Sequence, residues 1–334
     1  MLVPSNYKDV NRMDEENVFQ DRCFNSFDRL LFFKKQKRII NAIERQVEEN
    51  KPDLLHAHFL FTNGYACMRI GHKHKIPYIV AVRNTDLNVF FKHMFFLRNT
   101  GIEVLLNAEK IVFISSSYKN SILSKYIPQK YKDEINEKSI VIPNGIDKFW
   151  LINATLKNNI DKEIHLLTVG SINRNKNQLT VVKAAELLIS KGYKVRYTVI
   201  GKVEDKVIHK ELMKRNFVVY IENQPKEKLI NYYRKSNIFV MPSKTETFGL
   251  VYAEAMSQGL PVIYTRGQGF DNQFDEGEVG YSVNFSSIEE IACRTIDIIH
   301  NYKEMSKNCL EKVDKFNWDK ITNKYIELYK ECIK

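Results

Sequence analysis

No run of apolar residues in this 334-residue chain approaches the roughly 20 that a membrane span needs, and the opening MLVPSNYKDVNRMDEE has no apolar core of the signal-peptide kind. A membrane, if met, is met from the side. The five cysteines, Cys23, Cys67, Cys293, Cys309 and Cys332, are odd in number and scattered, without the close pairs of structural zinc or redox motifs. A reducing cytoplasm is therefore the expected location. Internal repeats and low-complexity segments are missing. So is any helix-turn-helix, zinc-finger or aromatic RNA-binding signature, which argues against a nucleic-acid partner.

What is present is enough for real cores: 44% hydrophobic and 12% aromatic residues, in a length that suits two domains of ordinary size. The net charge of +11 is unevenly placed, with seven Lys/Arg against two Asp/Glu in residues 51–100. That surplus points to an anionic partner, either an anionic lipid surface or a phosphorylated substrate.

From about residue 164 strands and helices alternate. HLLTVGSI, KVRYTVIG, FVVYIE, NIFVMPS and LPVIYT read as strands. Between them NQLTVVKAAELLIS, KVIHKELMKRN, PKEKLINYYRKS (opened by Pro225) and GLVYAEAMSQG (stopped by Gly259) read as helices. Strands separated by single helices imply right-handed crossovers and a parallel sheet covered on both faces. The first half has the same grammar in KPDLLHAHF, IPYIVAVRNTD, AEKIVFISSSYKNSIL and KSIVIPNGID, the last ending in a Pro143-Asn144-Gly145 turn where Gly145 suits a positive φ. The expected fold is α/β, two doubly wound Rossmann-like domains facing across a cleft. The expected bounds are 1–147 and 148–316, with an amphipathic helix over 317–334 packing back toward the first domain.

Ligands of open parallel sheets sit beyond the carboxyl ends of the strands. There the stretch TETFGLVYAE, residues 245–254, places Glu246 in a loop and Glu254 about two turns into a helix starting near Gly249. Even if both were helical, eight steps of about 100° would leave them about 80° apart, so they serve different parts of one ligand. The N–H groups of Thr247, Phe248, Gly249 and Leu250, with the positive end of the helix dipole, make a phosphate site. Glu254 suits the paired hydroxyls of a ribose, and Glu246 suits sugar hydroxyls beyond the phosphates. The ligand so described is a nucleoside diphosphate sugar.

With Pro242 and Ser243 before it and Ala255, Met256, Gly259, Pro261 and Val262 after, this segment resembles the E(x)7E region of the retaining GT-B glycosyltransferases of family 4. The resemblance extends over residues 51–334. VGSINRNKNQ resembles that family's diphosphate-binding strand end, with Gly170 and Ser171 beside the donor. Lys176 falls on the family's lysine, Ser171 stands where the family has arginine, and Arg174 is the nearest cation for that role. The resemblance implies a front-face substitution with retention, in which Lys176, Arg174 and the helix amino terminus stabilise the departing diphosphate and Glu246 acts at the reacting sugar. It implies a UDP- or GDP-sugar donor and no metal or other cofactor, and the chain has no Asp-x-Asp motif. Gly267, Gly269 and Phe270, in TRGQGFDNQF, are expected to line the donor sugar pocket.

On the acceptor side AVRNTD matches the family's His-Gly-Ser/Thr-Asp, giving Asp86 an expected catalytic role and putting Arg83 in place of the histidine, next to Asn84. Arg83 either binds an anionic acceptor group, such as a lipid-linked diphosphate, or pairs with an acid such as Asp86. His56 and His58 share a strand face and have a structural or acceptor-site role. LLFFKKQKR (30–38) and FFKHMFFLR (90–98) interleave rings with cations, as a segment does at an anionic membrane surface or in an amphipathic helix packed on a sheet. Ahead of residue 50 the family usually has a glycine-rich turn and further strands, so the first domain is expected to be short by about two βα units. The expected function is transfer of a hexosyl group to a glycan or lipid-linked glycan at the cytoplasmic membrane face, in cell-surface polysaccharide synthesis. The alternatives are a catalytically weak donor-binding subunit supporting a partner glycosyltransferase and a sugar-nucleotide epimerase of similar architecture. Unpaired sheet edges in the first half invite a homo- or hetero-oligomer.

Overall fold

The computed structural model describes residues 2–6, 19–24, 31–160 and 162–333. The chain forms two compact units, one of Met1–Ile114, Lys119–Ile142 and Lys324–Lys334, the other of Ser115–Tyr118 and Pro143–Asn323.

In the first unit β1 (Leu2–Asn6) pairs in parallel with β2 (Phe19–Phe24) as a separate two-stranded ribbon, and α1 (Phe32–Asn50) packs on it. No apolar pattern announces β2, because FQDRCF carries two charges and an amide in six residues. β3 (Leu55–Ala57), α2 (Tyr65–His74), β4 (Tyr78–Val82), α3 (Arg98–Asn107), β5 (Lys110–Phe113), α4 (Ser116–Lys125, whose start through Tyr118 belongs to the second unit), α5 (Gln129–Glu137) and β6 (Ser139–Val141) follow. Their strands make one parallel sheet in chain order. All five residues of β4 are buried, as expected of a strand covered on both faces, which is why its sequence is an unbroken apolar run.

The second unit contains α6 (Lys148–Ile152), β7 (Ile164–Val169), α7 (Gln178–Ser190), β8 (Val195–Ile200), α8 (Lys206–Leu212), β9 (Val218–Ile221) and α9 (Lys226–Lys235). It continues with β10 (Ile238–Val240), α10 (Leu250–Ser257), β11 (Val262–Thr265), β12 (Gly280–Val283), α11 (Ile288–His300), α12 (Tyr302–Lys312) and the start of α13 (Trp318–Cys332). The six strands are parallel in the order β12-β11-β10-β7-β8-β9. Both units are thus Rossmann-like.

Two local expectations change. Gly145 is not among the glycines of positive φ; a Cβ there would lie 2.7 Å from the Trp318 ring, so the residue is small because an indole lies on it. α10 begins at Leu250 behind Gly249 (φ +75°), so Glu254 is its fifth residue and stands just over one turn in. Gly259 does end that helix in the left-handed region, at φ +70°.

Candidate active site

β7 and β10 are neighbours, yet β7 leads to β8 and β9 on one side while β10 leads to β11 and β12 on the other. The loops leaving the carboxyl ends of these two strands therefore converge at the switch point where a doubly wound sheet takes its ligand. Asn175 joins them: its Nδ2 donates to Thr245 O (2.9 Å), its Oδ1 accepts from Thr245 N (3.0 Å) and its carbonyl from Lys244 N (2.8 Å).

This stitching brings Lys176 Nζ to 2.7 Å from Glu246 Oε2, with side chains only 21% and 11% exposed. Ser243 Oγ donates to the same oxygen at 3.3 Å, and Thr247 N–H donates to Oε1 at 3.2 Å. The Thr247 amide, expected free for a phosphate, is thus engaged by the neighbouring carboxylate. Gly170 lies beneath the lysine stem, its Cβ position 3.5 Å from Lys176 Cε. Gly170, Lys176, Ser243, Glu246 and Thr247 form one cluster.

Glu254 stands apart from that cluster on α10, its Oε2 accepting from the Tyr233 hydroxyl at 3.1 Å. Burial pushes its carboxyl up to about 7; the Tyr233 hydrogen bond opposes the shift and Asp147 adds to it.

Several expected site residues lie elsewhere. Arg174 turns to Asp205, Nε to Oδ2 3.6 Å, with its side chain 86% exposed, and lines a cavity of about 260 Å³ with Asn173, Asn177, Gln178 and Lys244. It does not join the Lys176–Glu246 pair. Ser171 accepts at its carbonyl from Gln178 Nε2 (2.9 Å). Phe248 and Phe270 are fully buried, packed with Phe316 and, for Phe270, with Tyr252 and Tyr264. Both rings are core residues, so Phe248 can offer a ligand only its backbone N–H. Gly249 serves the turn, since a Cβ would meet the Tyr252 ring at 2.3 Å, while Leu250 is exposed. Gly267 has open space around its Cβ position.

In the first unit Asp86 is fully buried and accepts three backbone N–H groups, from Arg83 (2.8 Å), Leu60 (3.1 Å) and Phe61 (3.1 Å). Burial raises its carboxyl to about 6 against those bonds. This acid clasps the helical turn Leu60–Gly64, and its place in the structure is that of a buried acceptor of backbone N–H groups. Arg83 instead hydrogen-bonds Tyr325 through its side chain, and its charge acts on His56 and His58. The two imidazoles stack at 4.4 Å, and His56 Nδ1 lies 2.7 Å from the Tyr329 hydroxyl. Burial, with His58 and Arg83 adding, drives His56 down to about 3, and burial with Arg83 lowers His58 as well, so the site favours the neutral form of both rings. Asn84, next to Arg83, accepts from Asn88 Nδ2.

Residues 154–316 match the family described as glycosyl transferases group 1, and residues 12–148 match Glycosyltransferase Family 4. An uncharacterised glycosyltransferase of Methanocaldococcus jannaschii is 24% identical across 95% of this chain and 87% of its own length. The capsular polysaccharide biosynthesis glycosyltransferase CapM of Staphylococcus aureus is 28% identical, over 67% of this chain and 63% of its own. Among solved structures, Anabaena HepE in complex with UDP and glucose is similar with a TM-score of 0.65 at 15% identity, covering 94% of this chain and 85% of that one. The chain is a family 4 glycosyltransferase of GT-B fold.

The site of this glycosyltransferase also has parts that no motif marks. The Glu246 carbonyl accepts from the Tyr118 hydroxyl (2.8 Å) and from Gly269 N (3.0 Å), while Glu246 N donates to Gln268 Oε1 (2.9 Å). Ser117 Oγ donates to Asp271 O (2.7 Å) and accepts from Asn272 Nδ2 (3.0 Å). A Cβ on Gly269 would fall 1.8 Å from Thr247 O, so only glycine lets the 266–270 loop lie against the acidic loop. The one signal for Ser117 and Tyr118 is the polar run SSSY directly after a buried strand.

Proposed function

We propose that this glycosyltransferase moves a hexosyl group from a UDP- or GDP-sugar to a glycan or lipid-linked glycan, with retention at the anomeric carbon and without a metal, as a step in cell-surface polysaccharide synthesis. The observation that carries the reading is the Lys176–Glu246 pair at the switch point of the second sheet. One carboxylate there gathers an ammonium, a hydroxyl and a backbone N–H within hydrogen-bonding distance, and the same three donors suit the oxygens of a diphosphate.

As the bond from the anomeric carbon to the phosphate oxygen breaks, its electron pair passes to the diphosphate. Lys176, Ser243 and Thr247 N–H stabilise the charge that grows there. The acceptor hydroxyl attacks on the face the diphosphate leaves, and its proton goes to the departing phosphate oxygen. Glu246 accepts hydroxyls of the transferred sugar, and Glu254, on the next turn of chain, accepts those of the ribose. HepE, known with UDP and glucose, and CapM, named for capsular polysaccharide synthesis, support the donor and pathway classes.

The test is a panel of UDP- and GDP-hexoses with the purified chain, reading donor hydrolysis, transfer and the anomeric configuration of the product. One nucleotide class is expected to turn over with retention, to withstand EDTA, and to lose on the order of 10²- to 10³-fold in kcat in Lys176→Ala. Binding without turnover, rescued by a second enzyme, would replace this reading with the supporting subunit. An isomerised sugar nucleotide formed with no acceptor would replace it with the epimerase.

A further inference from the structure

Four large apolar side chains in two segments of the first unit stand in solvent. Phe95 and Phe96, consecutive in the turn before α3, are 71% and 66% exposed, and Leu31 and Phe33 at the start of α1 are 57% and 56% exposed. The two segments are neighbours: the Phe32 ring lies 6.3 Å from Phe90 and 5.2 Å from Phe33. Below them the face is firm, with Phe61 buried and stacked on Phe90 at 4.5 Å and Phe91 buried edge-on to Phe61. The outer rings therefore project from a packed aromatic base. Adjacent exposed rings of this size mark an interaction site and not ordinary surface scatter.

The charge between the rings says what that site meets. Residues 31–38 and 87–98 together hold six Lys/Arg and no Asp/Glu, and Lys34, Lys37 and Lys92 are exposed among the rings. The buried centres of protein–protein interfaces are depleted in lysine, and a two-fold copy of this chain would set these cations against themselves. A bilayer of anionic phospholipid satisfies both halves, taking the rings at the level of the headgroups and the ammonium groups at the phosphates. Among the described residues no helix is long and apolar enough to cross a membrane, so the contact is interfacial.

We infer that the face formed by Leu31, Phe33, Phe95 and Phe96, with Lys34, Lys37 and Lys92, docks this protein on an anionic phospholipid bilayer. The inference is independent of the donor chemistry, because vesicle binding needs no sugar nucleotide and sugar transfer to a soluble glycan needs no vesicle.

Cosedimentation of the full chain with vesicles of phosphatidylcholine alone, and of phosphatidylcholine with phosphatidylglycerol, tests it. Binding is expected on the anionic vesicles, at least about tenfold tighter than on the neutral ones, and is expected to weaken as salt rises. Phe95→Ser with Phe96→Ser should cut the partition on the order of tenfold and leave its salt dependence. Lys34→Gln with Lys37→Gln should flatten the salt dependence. All four side chains are exposed, so circular dichroism and donor turnover on a soluble acceptor are expected to be unchanged in the variants. No partition onto anionic vesicles, or partition that the paired phenylalanine change leaves as it was, overturns the inference. A dimer in sedimentation that the phenylalanine change dissociates also overturns it and assigns the face to a second copy.

Discussion

Asp86 and Glu254 are two carboxyls that burial pushes the same way, to about 6 and about 7, and their partners make them different tools. The three backbone N–H groups on Asp86 have no solvent to turn to if it is removed, and each orphaned donor costs about 1–3 kcal/mol. Asp86→Ala should therefore lose about 3 kcal/mol or more in urea unfolding, and Asp86→Asn, which keeps one acceptor oxygen, clearly less. Glu254 holds its proton more tightly folded than unfolded, so the stability tied to that proton is full in acid and lost as pH rises through about 7. Glu254→Gln should raise the melting temperature at pH above 7, by at most about 3 kcal/mol of stability, with the gap closing toward the ordinary carboxylate range. Donor binding should run in the opposite sense. Only the ionised carboxylate is a pure acceptor for ribose hydroxyls, so donor KM should climb as pH falls below about 7 in the wild type and stay flat in Glu254→Gln.

The proposed donor site is made by loops, and each is fixed by something other than its own residues. The acidic loop hangs from Tyr118, Gly269 and Gln268 by its backbone at Glu246. Tyr118→Phe removes one of two donors to the Glu246 carbonyl, at about 1 kcal/mol. The expected result is a several-fold fall in kcat with the melting temperature nearly kept. Gly269→Ala forces a methyl into the Thr247 carbonyl and should abolish transfer through displacement of the loop. The strands and helices behind these loops were legible from periodicity, because a buried parallel strand and an amphipathic helix repeat differently along the chain. The loops were legible only where charge chemistry marks them, at Lys176 and Glu246. An aromatic beside a motif has the same letter whether it faces a sugar or the core, so Phe248 and Phe270 gave no sign that Phe316 lies against them. Asp86 matched a motif, but nothing along the chain announced the buried clasp it makes on the backbone at Leu60 and Phe61.

For the molecule as a whole, a nucleotide that binds only the folded state shifts its melting by mass action. At one hundred times its Kd such a ligand adds about 2.7 kcal/mol. UDP, GDP and ADP compared by thermal shift should single out one base, and Lys176→Ala should shrink that shift; equal, negligible shifts for all three would remove the donor site from the second unit. Alternation of strand and helix was enough to establish the fold class, since periodicity is a property of neighbours along the chain, while the +11 charge and the spacing of two glutamates named a ligand to be tested. Folding alone decided which residues stand together. The Tyr118–Glu246 bond joins positions 128 apart and the His56–Tyr329 bond positions 273 apart, and such pairings are made by sheet order and helix docking, of which the linear order of residues carries no local trace.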